Sequence, residues 1–274
     1  MSPVVKDAVI SFLGRNIIGK KRFFLSWFGG EPLIERRSVL DITKSCFSAC
    51  LDNSVLMETD ITTNAMFIDR ELLEELAQYG KIRFQITLDG PKKYHNLRRI
   101  SPNGSDTFGP IVKAIKQIVE YKADFEVLAR IHYDAESAVE VVEFAKEVSG
   151  WIEGKGSVFV RPISNLGGKN DCTTVLTDEE TDKRIGRELA QLGLSVHSAE
   201  EQVCYAALPN ALVIRADGKV SKCTVALESS KNLVGNITEA GELKLNENIN
   251  GWLKGWYEGD VSALKCPYSK IAKS

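Results

Sequence analysis

Apolar segments with strand character alternate with amphipathic helical stretches along most of this 274-residue chain. That alternation constrains its fold more than any other feature. Residues 23–28, 57–62, 82–88, 127–133 and 158–163 read as strands. Between them, Pro32 opens a helix over 33–51, and Asp69 caps one carrying Leu72, Leu73, Leu76 and Ala77. Phe108, Ile111, Val112, Ile115, Ile118 and Val119 form the clearest helical face. Another helix carries Ala138, Val141, Val142, Ala145 and Val148, and a capping box at 177–180 opens one more. Strand and helix recurring every roughly 25–45 residues predict a parallel sheet of βαβ units.

From about Glu200 the pattern changes. Residues 212–215 and 219–223 flank Ala216-Asp217-Gly218, an Asp-Gly hairpin turn, and glycines punctuate the rest. The expected division is therefore a partial barrel over 1–199 and a small irregular α+β domain over 200–274. An N-terminal amphipathic helix over 4–18 is assigned to the first. A net charge of −2 gives no electrostatic case for nucleic acid or an anionic membrane as partner. No apolar run approaches the roughly 18–20 residues that cross a bilayer, and the charged N-terminus does not read as a signal peptide. Cytoplasm is the default location.

In a parallel sheet, ligands gather at the C-terminal ends of the strands. The notable polar residues fall there: Gly29-Gly30-Glu31-Pro32 after the first strand, Thr63-Asn64 after the second, and Thr87-Leu88-Asp89-Gly90 at the third. His95 and Arg98-Arg99 follow. Each has a plain structural reading too: a tight turn, an ordinary strand threonine, a solvated basic pair. His95 has no second metal-ligand candidate at helical spacing and is read as structural.

In this order and spacing the segments resemble the radical S-adenosylmethionine (SAM) enzymes, specifically the peptide-modifying branch with a C-terminal SPASM domain. The resemblance implies a partial (βα) TIM-like barrel. It also implies that Gly29, Gly30 and Glu31 receive the SAM amino group, that Thr87 contacts its ribose or carboxylate, and that Arg99 pairs with the carboxylate. A guanidinium suits that last role because its donor fork binds a carboxylate in bidentate fashion.

The same resemblance calls for a [4Fe-4S] cluster on a Cys-x3-Cys-x2-Cys loop before the Gly-Gly-Glu-Pro segment. No such motif occurs among the six cysteines, which stand at 46, 50, 172, 204, 223 and 266. The first barrel strand and its loop are expected to be missing, lying on an upstream segment or a partner chain. Cys46 and Cys50 nearly repeat the spacing, but the third position is Asn53 and the stretch reads as a helix, so they are taken as buried or incidental.

In the second domain, Cys204, Cys223 and Cys266 match the framework that holds auxiliary [4Fe-4S] clusters. Ala263 and Ala272 stand where further cysteines would be expected. Thr224 occupies the place of the acidic proton acceptor of the sulfatase-maturing subfamily. The expected function is radical-initiated modification of a peptide substrate, with weak SAM binding and no activity from this chain alone. The rivals are a non-catalytic SAM- or peptide-binding module and a zinc-stabilised structural protein, the latter with His197 as the nearest fourth ligand.

Overall fold

The computed structural model describes residues 1–101, 103–163, 176–194 and 203–272. The first half of the chain runs α1 (Pro3–Ile17), β1 (Arg22–Trp27), α2 (Arg36–Asp52), β2 (Leu56–Thr63), α3 (Arg70–Leu76), β3 (Lys81–Leu88), α4 (Lys92–Arg98) and α5 (Phe108–Glu120). There follow β4 (Phe125–Tyr133), α6 (Val141–Trp151), β5 (Gly156–Pro162) and α7 (Glu179–Gln191). The remainder is β6 (Val213–Ile214), β7 (Lys219–Ser221), β8 (Leu233–Ile237), β9 (Leu243–Leu245), α8 (Ile249–Glu258), α9 (Val261–Lys265) and α10 (Pro267–Ile271). These residues form two compact units. One comprises Arg22–Thr43 and Leu56–His197, the other Met1–Lys21, Lys44–Val55 and Ser198–Ser274.

The first unit is built on a sheet in which β1 to β5 lie side by side in chain order, all parallel. This is the α/β architecture expected from the alternation. One face is apolar. Ile82, Phe84, Ile86 and Leu88 of β3 are fully buried, as are Val127, Ala129 and Ile131 of β4. Helices supply the cover: Leu72, Leu73 and Leu76 of α3, Ile111, Ile115 and Ile118 of α5, and Val141, Ala145 and Val148 of α6 are buried in turn. Each such side chain contributes about 1.5–3 kcal/mol by leaving water.

The alternate residues of the same strands stay half exposed: Arg83, Gln85 and Thr87 on β3, Glu126, Leu128, Arg130 and His132 on β4, Phe159 and Arg161 on β5. Parallel strands are ordinarily apolar on both faces because both are covered. A polar second face therefore marks a surface kept open. At the edge, β1 pairs with β2 and, among the described residues, with no other strand. Its Phe24 is 55% exposed.

The local boundaries differ from expectation in places. The stretch after Pro32 begins as a 3-10 turn over Pro32–Glu35, so α2 starts at Arg36. Helix α6 starts at Val141 rather than Ala138, because Asp134 and Ser137 close a turn through reciprocal bonds. The cap of α7 is Asp178 rather than Thr177, its Oδ1 accepting from Thr181 N at 2.7 Å. Helix α4 has no counterpart in the sequence reading.

In the second unit, β6, β7, β8 and β9 form an antiparallel sheet in that order. Its first hairpin turns at Asp217-Gly218, with Gly218 at φ +81. Ala8 and Phe12 of α1 share one core with Ala206, Val220, Val234, Ile237 and Trp252. Helix α1 therefore clusters with the C-terminal residues, not with the barrel sheet to which 1–199 assigned it. An apolar stripe states that a helix needs a partner but does not name the partner. Arg15 reinforces the placement by donating to the carbonyls of Ala240 and Gly241. No helix among the described residues is long and apolar enough to cross a membrane.

Candidate functional site

The expected site residues of the first unit lie at the C-terminal ends of consecutive strands. After β1 the chain turns through Gly29 at φ +112 and Gly30 at φ +47. The first value is one that side-chain-bearing residues rarely adopt, and both positions face open space. Something can therefore approach the backbone here closely. Glu31 closes the turn. Its carboxylate accepts from Leu33 N at 3.0 Å, Thr63 Oγ1 at 2.8 Å and Asn64 N at 2.7 Å. Those bonds tie the end of β1 to the end of β2 and occupy three of the roughly four acceptor positions of a carboxylate.

At the third strand, Thr87 lies on the open face with Arg130 as its register partner on β4. Beyond it, Asp89 is buried between Arg99 and His132. Arg99 Nε donates to Asp89 Oδ2 at 2.7 Å, and His132 Nδ1 stands 3.2 Å from Oδ1. Burial works to raise the Asp89 pKa, but the His132 hydrogen bond and the Arg99 charge outweigh it and hold it well below the usual carboxylate range. Arg99, expected to be free for a ligand carboxylate, is thus already paired with Asp89. Thr107 Oγ1 fixes it further by donating to the Arg99 carbonyl at 2.7 Å. Arg98 is equally engaged, with the Asp89 carbonyl and the Asp134 carboxylate.

His95 is fully buried and structural in its contacts. Its Nδ1 accepts from Asp89 N at 3.1 Å, and its ring packs edge-on against Phe108. Burial and the nearby Arg99 charge push its pKa down to about 4, so the ring is neutral and Nε2 carries the proton. His95 shapes the Asp89 backbone.

The residues that sequence reasoning missed are Arg130, His132 and Arg161. Arg130 is half buried, and its Nε lies shut from solvent with no hydrogen-bond partner. Burial, with the Arg161 and Arg99 charges added, pulls its pKa down. Among the described residues neither Arg130 nor Arg161 has a carboxylate partner. A signal for them was present in β4, where Glu126, Arg130 and His132 alternate with apolar residues in what should be a doubly buried strand.

The cysteines are elsewhere. The described residues of the first unit include none, Cys46 and Cys50 are buried on α2, and Cys172 and His197 lie outside the described residues. Burial, and then the neighbouring Cys50, push the Cys46 thiol up to about 12, which suits a packed side chain rather than a thiolate ligand. In the second unit the Cys204 thiol is held above its usual range, chiefly by burial and in part by Cys223 and Cys266, so the three expected ligands share a neighbourhood. Asn232 fixes the Cys223 loop with all four of its side-chain bonds made, to Lys222 N, Cys223 N, Cys223 O and Ala226 O. Even so, no set of three or more His, Cys, Asp or Glu side chains among the described residues is arranged to hold a metal ion.

The first unit thus combines a parallel sheet with an open polar face, a glycine turn at its first strand end and, among the described residues, guanidiniums without a carboxylate on its last two strands. Residues 13–148 match the Radical SAM superfamily. The chain carries a radical SAM domain. It is 24% identical over 127 residues to the cysteine-type anaerobic sulfatase-maturating enzyme of Clostridium perfringens strain 13, an alignment covering 46% of this chain and 34% of that enzyme. The matched part thus spans about a third of the curated relative's length. Among solved structures, native anSMEcpe with bound AdoMet superposes with a TM-score of 0.68 at 18% identity, covering 91% of this chain and 71% of the other. Streptococcus suis SuiB gives a TM-score of 0.54 at 16% identity, covering 98% and 65%. At these identities the superpositions establish the fold.

Proposed function

We propose that the first unit binds SAM along the open face of its parallel sheet and presents it to a peptide. What supports the reading most is Arg130, a half-buried guanidinium with an orphaned Nε on the strand next to Thr87. A desolvated cation of this kind calls for an anion from outside the chain, because a buried unpaired donor costs about 1–3 kcal/mol. The SAM carboxylate answers that requirement, and Arg130 takes the role first expected of Arg99. Arg99 instead positions Asp89, whose carboxylate stays ionised near neutral pH and suits the cationic half of the ligand. Gly29 and Gly30 leave backbone free for the amino group, and Thr87 offers a hydroxyl on the same face. Peptide binding follows the solved relatives, among them anSMEcpe with AdoMet and the Kp18Cys peptide and SuiB with its precursor peptide SuiA.

In this family, bound SAM supplies hydrogen abstraction from the substrate. The residues described in the first unit offer no thiolate for an iron–sulfur cluster, and Cys204, Cys223 and Cys266 of the second unit do not form a metal-holding set among the described residues. The chain's own contribution is binding and orientation.

Ligand-observed NMR tests the binding. Without a bond to iron, SAM is expected to bind in the millimolar range, on the order of −4 kcal/mol. Arg130→Gln should weaken it about tenfold or more through loss of a charge-assisted pair. Absence of saturation transfer to SAM, or transfer unchanged in Arg130→Gln, would overturn the assignment.

A further inference from the structure

The open face carries one more unpaired cation than SAM can satisfy. Arg161 projects from β5 on the same face as Arg130, where its register partner on β4 is His132 and that of Arg130 on β5 is Phe159. The two guanidiniums are thus diagonal neighbours, close enough that the Arg161 charge acts on Arg130. Among the described residues the other nearby cations each have a carboxylate: Arg99 has Asp89, which His132 also contacts, Arg98 has Asp134, Lys93 has Glu140 and Lys92 has Asp106. The N-terminal half of the face is balanced as well, Arg83 with Asp60 and Lys81 with Glu126. Among the described residues of this face, the cations without a carboxylate are Arg130 and Arg161.

SAM brings a single carboxylate, and its sulfonium and ammonium make its net charge positive. One carboxylate cannot neutralise two guanidiniums and its own cations. We infer that Arg161 receives a carboxylate of the substrate, so that the peptide acted on at this site is acidic next to the reacting residue. This rests on the reading of the face as a SAM site, and it adds the chemical class of the second ligand. The carboxylate could be an aspartate or glutamate side chain or a peptide C-terminus. The fork of a guanidinium recognises each alike.

Three hexapeptides separate these cases when titrated into the full chain with saturating SAM and followed by the arginine Nε–Hε resonances. The first is acetylated and amidated alanine with one central glutamate, the second has glutamine in that place, and the third is all-alanine with a free C-terminus. The glutamate peptide should bind about tenfold tighter than the glutamine peptide, the discrimination expected of one charge-assisted pair, and shift the Arg161 resonance. A side-chain ligand leaves the free-C-terminus peptide as weak as the glutamine one, whereas equal tightening by that peptide assigns the terminal carboxylate. Arg161→Gln should abolish the discrimination and Arg161→Lys should retain part of it. Equal binding of all three peptides by the wild type, or discrimination that survives in a folded Arg161→Gln variant, would overturn the inference. Repeating the titration without SAM keeps the two readings apart. Discrimination in a chain that shows no SAM binding would sink the SAM assignment and leave the acidic-substrate site standing.

Discussion

Arg99 Nε lies 2.7 Å from Asp89 Oδ2, ten residues back along the chain and at the end of the central strand. That pair decides which arginine is free. It engages Arg99 and leaves Arg130 and Arg161, among the described residues, as the guanidiniums of the open face without a carboxylate. A positioning role for Arg99 and a binding role for Arg130 make different demands on substitution.

Arg99→Gln is therefore expected to act mainly on stability. Breaking an ion pair that is largely buried on the carboxylate side costs about 1–3 kcal/mol, below the full value for a buried pair because Arg99 is partly exposed and His132 remains. The folded-state pKa of Asp89 is depressed, so its contribution is fully present above the ordinary carboxylate pKa of about 3.9 and is lost as pH falls below it. Urea melts at pH 7 and pH 3 check this. The variant should lose stability at pH 7, and the gap should narrow at pH 3 without closing because the folded-state Asp89 pKa lies well below the usual carboxylate range, whereas a gap that widens in acid would contradict the pairing.

The parallel sheet was legible because β3, β4, α3 and α5 carry strict periods that survive any tertiary context. Chemistry on the open face was not, because recognisable motifs lie at strand ends, while Arg130 and Arg161 sit within strands at alternate positions. The rule that parallel strands are apolar on both faces could have found them. The position of α1 was illegible for a different reason. Ala8 and Phe12 require an apolar partner, and both the sheet and the C-terminal core offered one. For Glu31, no sequence feature discloses that Thr63 and Asn64 already bind it.

His95 sets a second pH dependence, in a higher window. Its folded-state pKa is lowered to about 4 by burial and the Arg99 charge, against an unfolded value of about 6.5. A depressed pKa means stability present above 6.5 and lost as pH falls through the interval down to about 4, by up to about 3 kcal/mol. His95→Asn, which keeps an acceptor for Asp89 N but cannot titrate, should flatten the dependence between pH 6.5 and 4. An unaltered slope in thermal melts across that interval would show that another group produces it.

Gly29 is a backbone requirement rather than a spatial one. A Cβ there meets nothing within 4 Å, but φ +112 is strained for alanine whatever the room. Gly29→Ala should cost about 1–3 kcal/mol or force the turn to rearrange, and should weaken SAM binding in either case. Gly156→Ala provides the contrast, since its Cβ would lie 1.9 Å from Val127 O in the β4–β5 pairing. That substitution should destabilise the sheet more severely. Parallel chemical denaturation of the two variants decides it, and a neutral Gly29→Ala with full SAM affinity would contradict the observed turn.

Lys222 gives the second unit its own test. Its side chain is fully buried, and its Nζ donates at 2.6 Å to the carbonyls of Leu208 and Ala211, one residue before Cys223. Burial lowers its pKa to about 8, with Cys204 opposing the shift. Lys222→Met keeps the volume and the apolar stem but removes the donor to the Ala211 carbonyl and leaves the Leu208 carbonyl with Ala211 N alone, a loss of about 1–3 kcal/mol. The damage should be local. Amide exchange should accelerate through 204–226, and the Cys204 and Cys223 thiols should react faster with a maleimide probe, while protection in β3 and β4 stays unchanged. If the cysteines instead gain reactivity only on treatment with a chelator, and Lys222→Met leaves exchange in 204–226 as it was, then a bound metal rather than this lysine holds the loop.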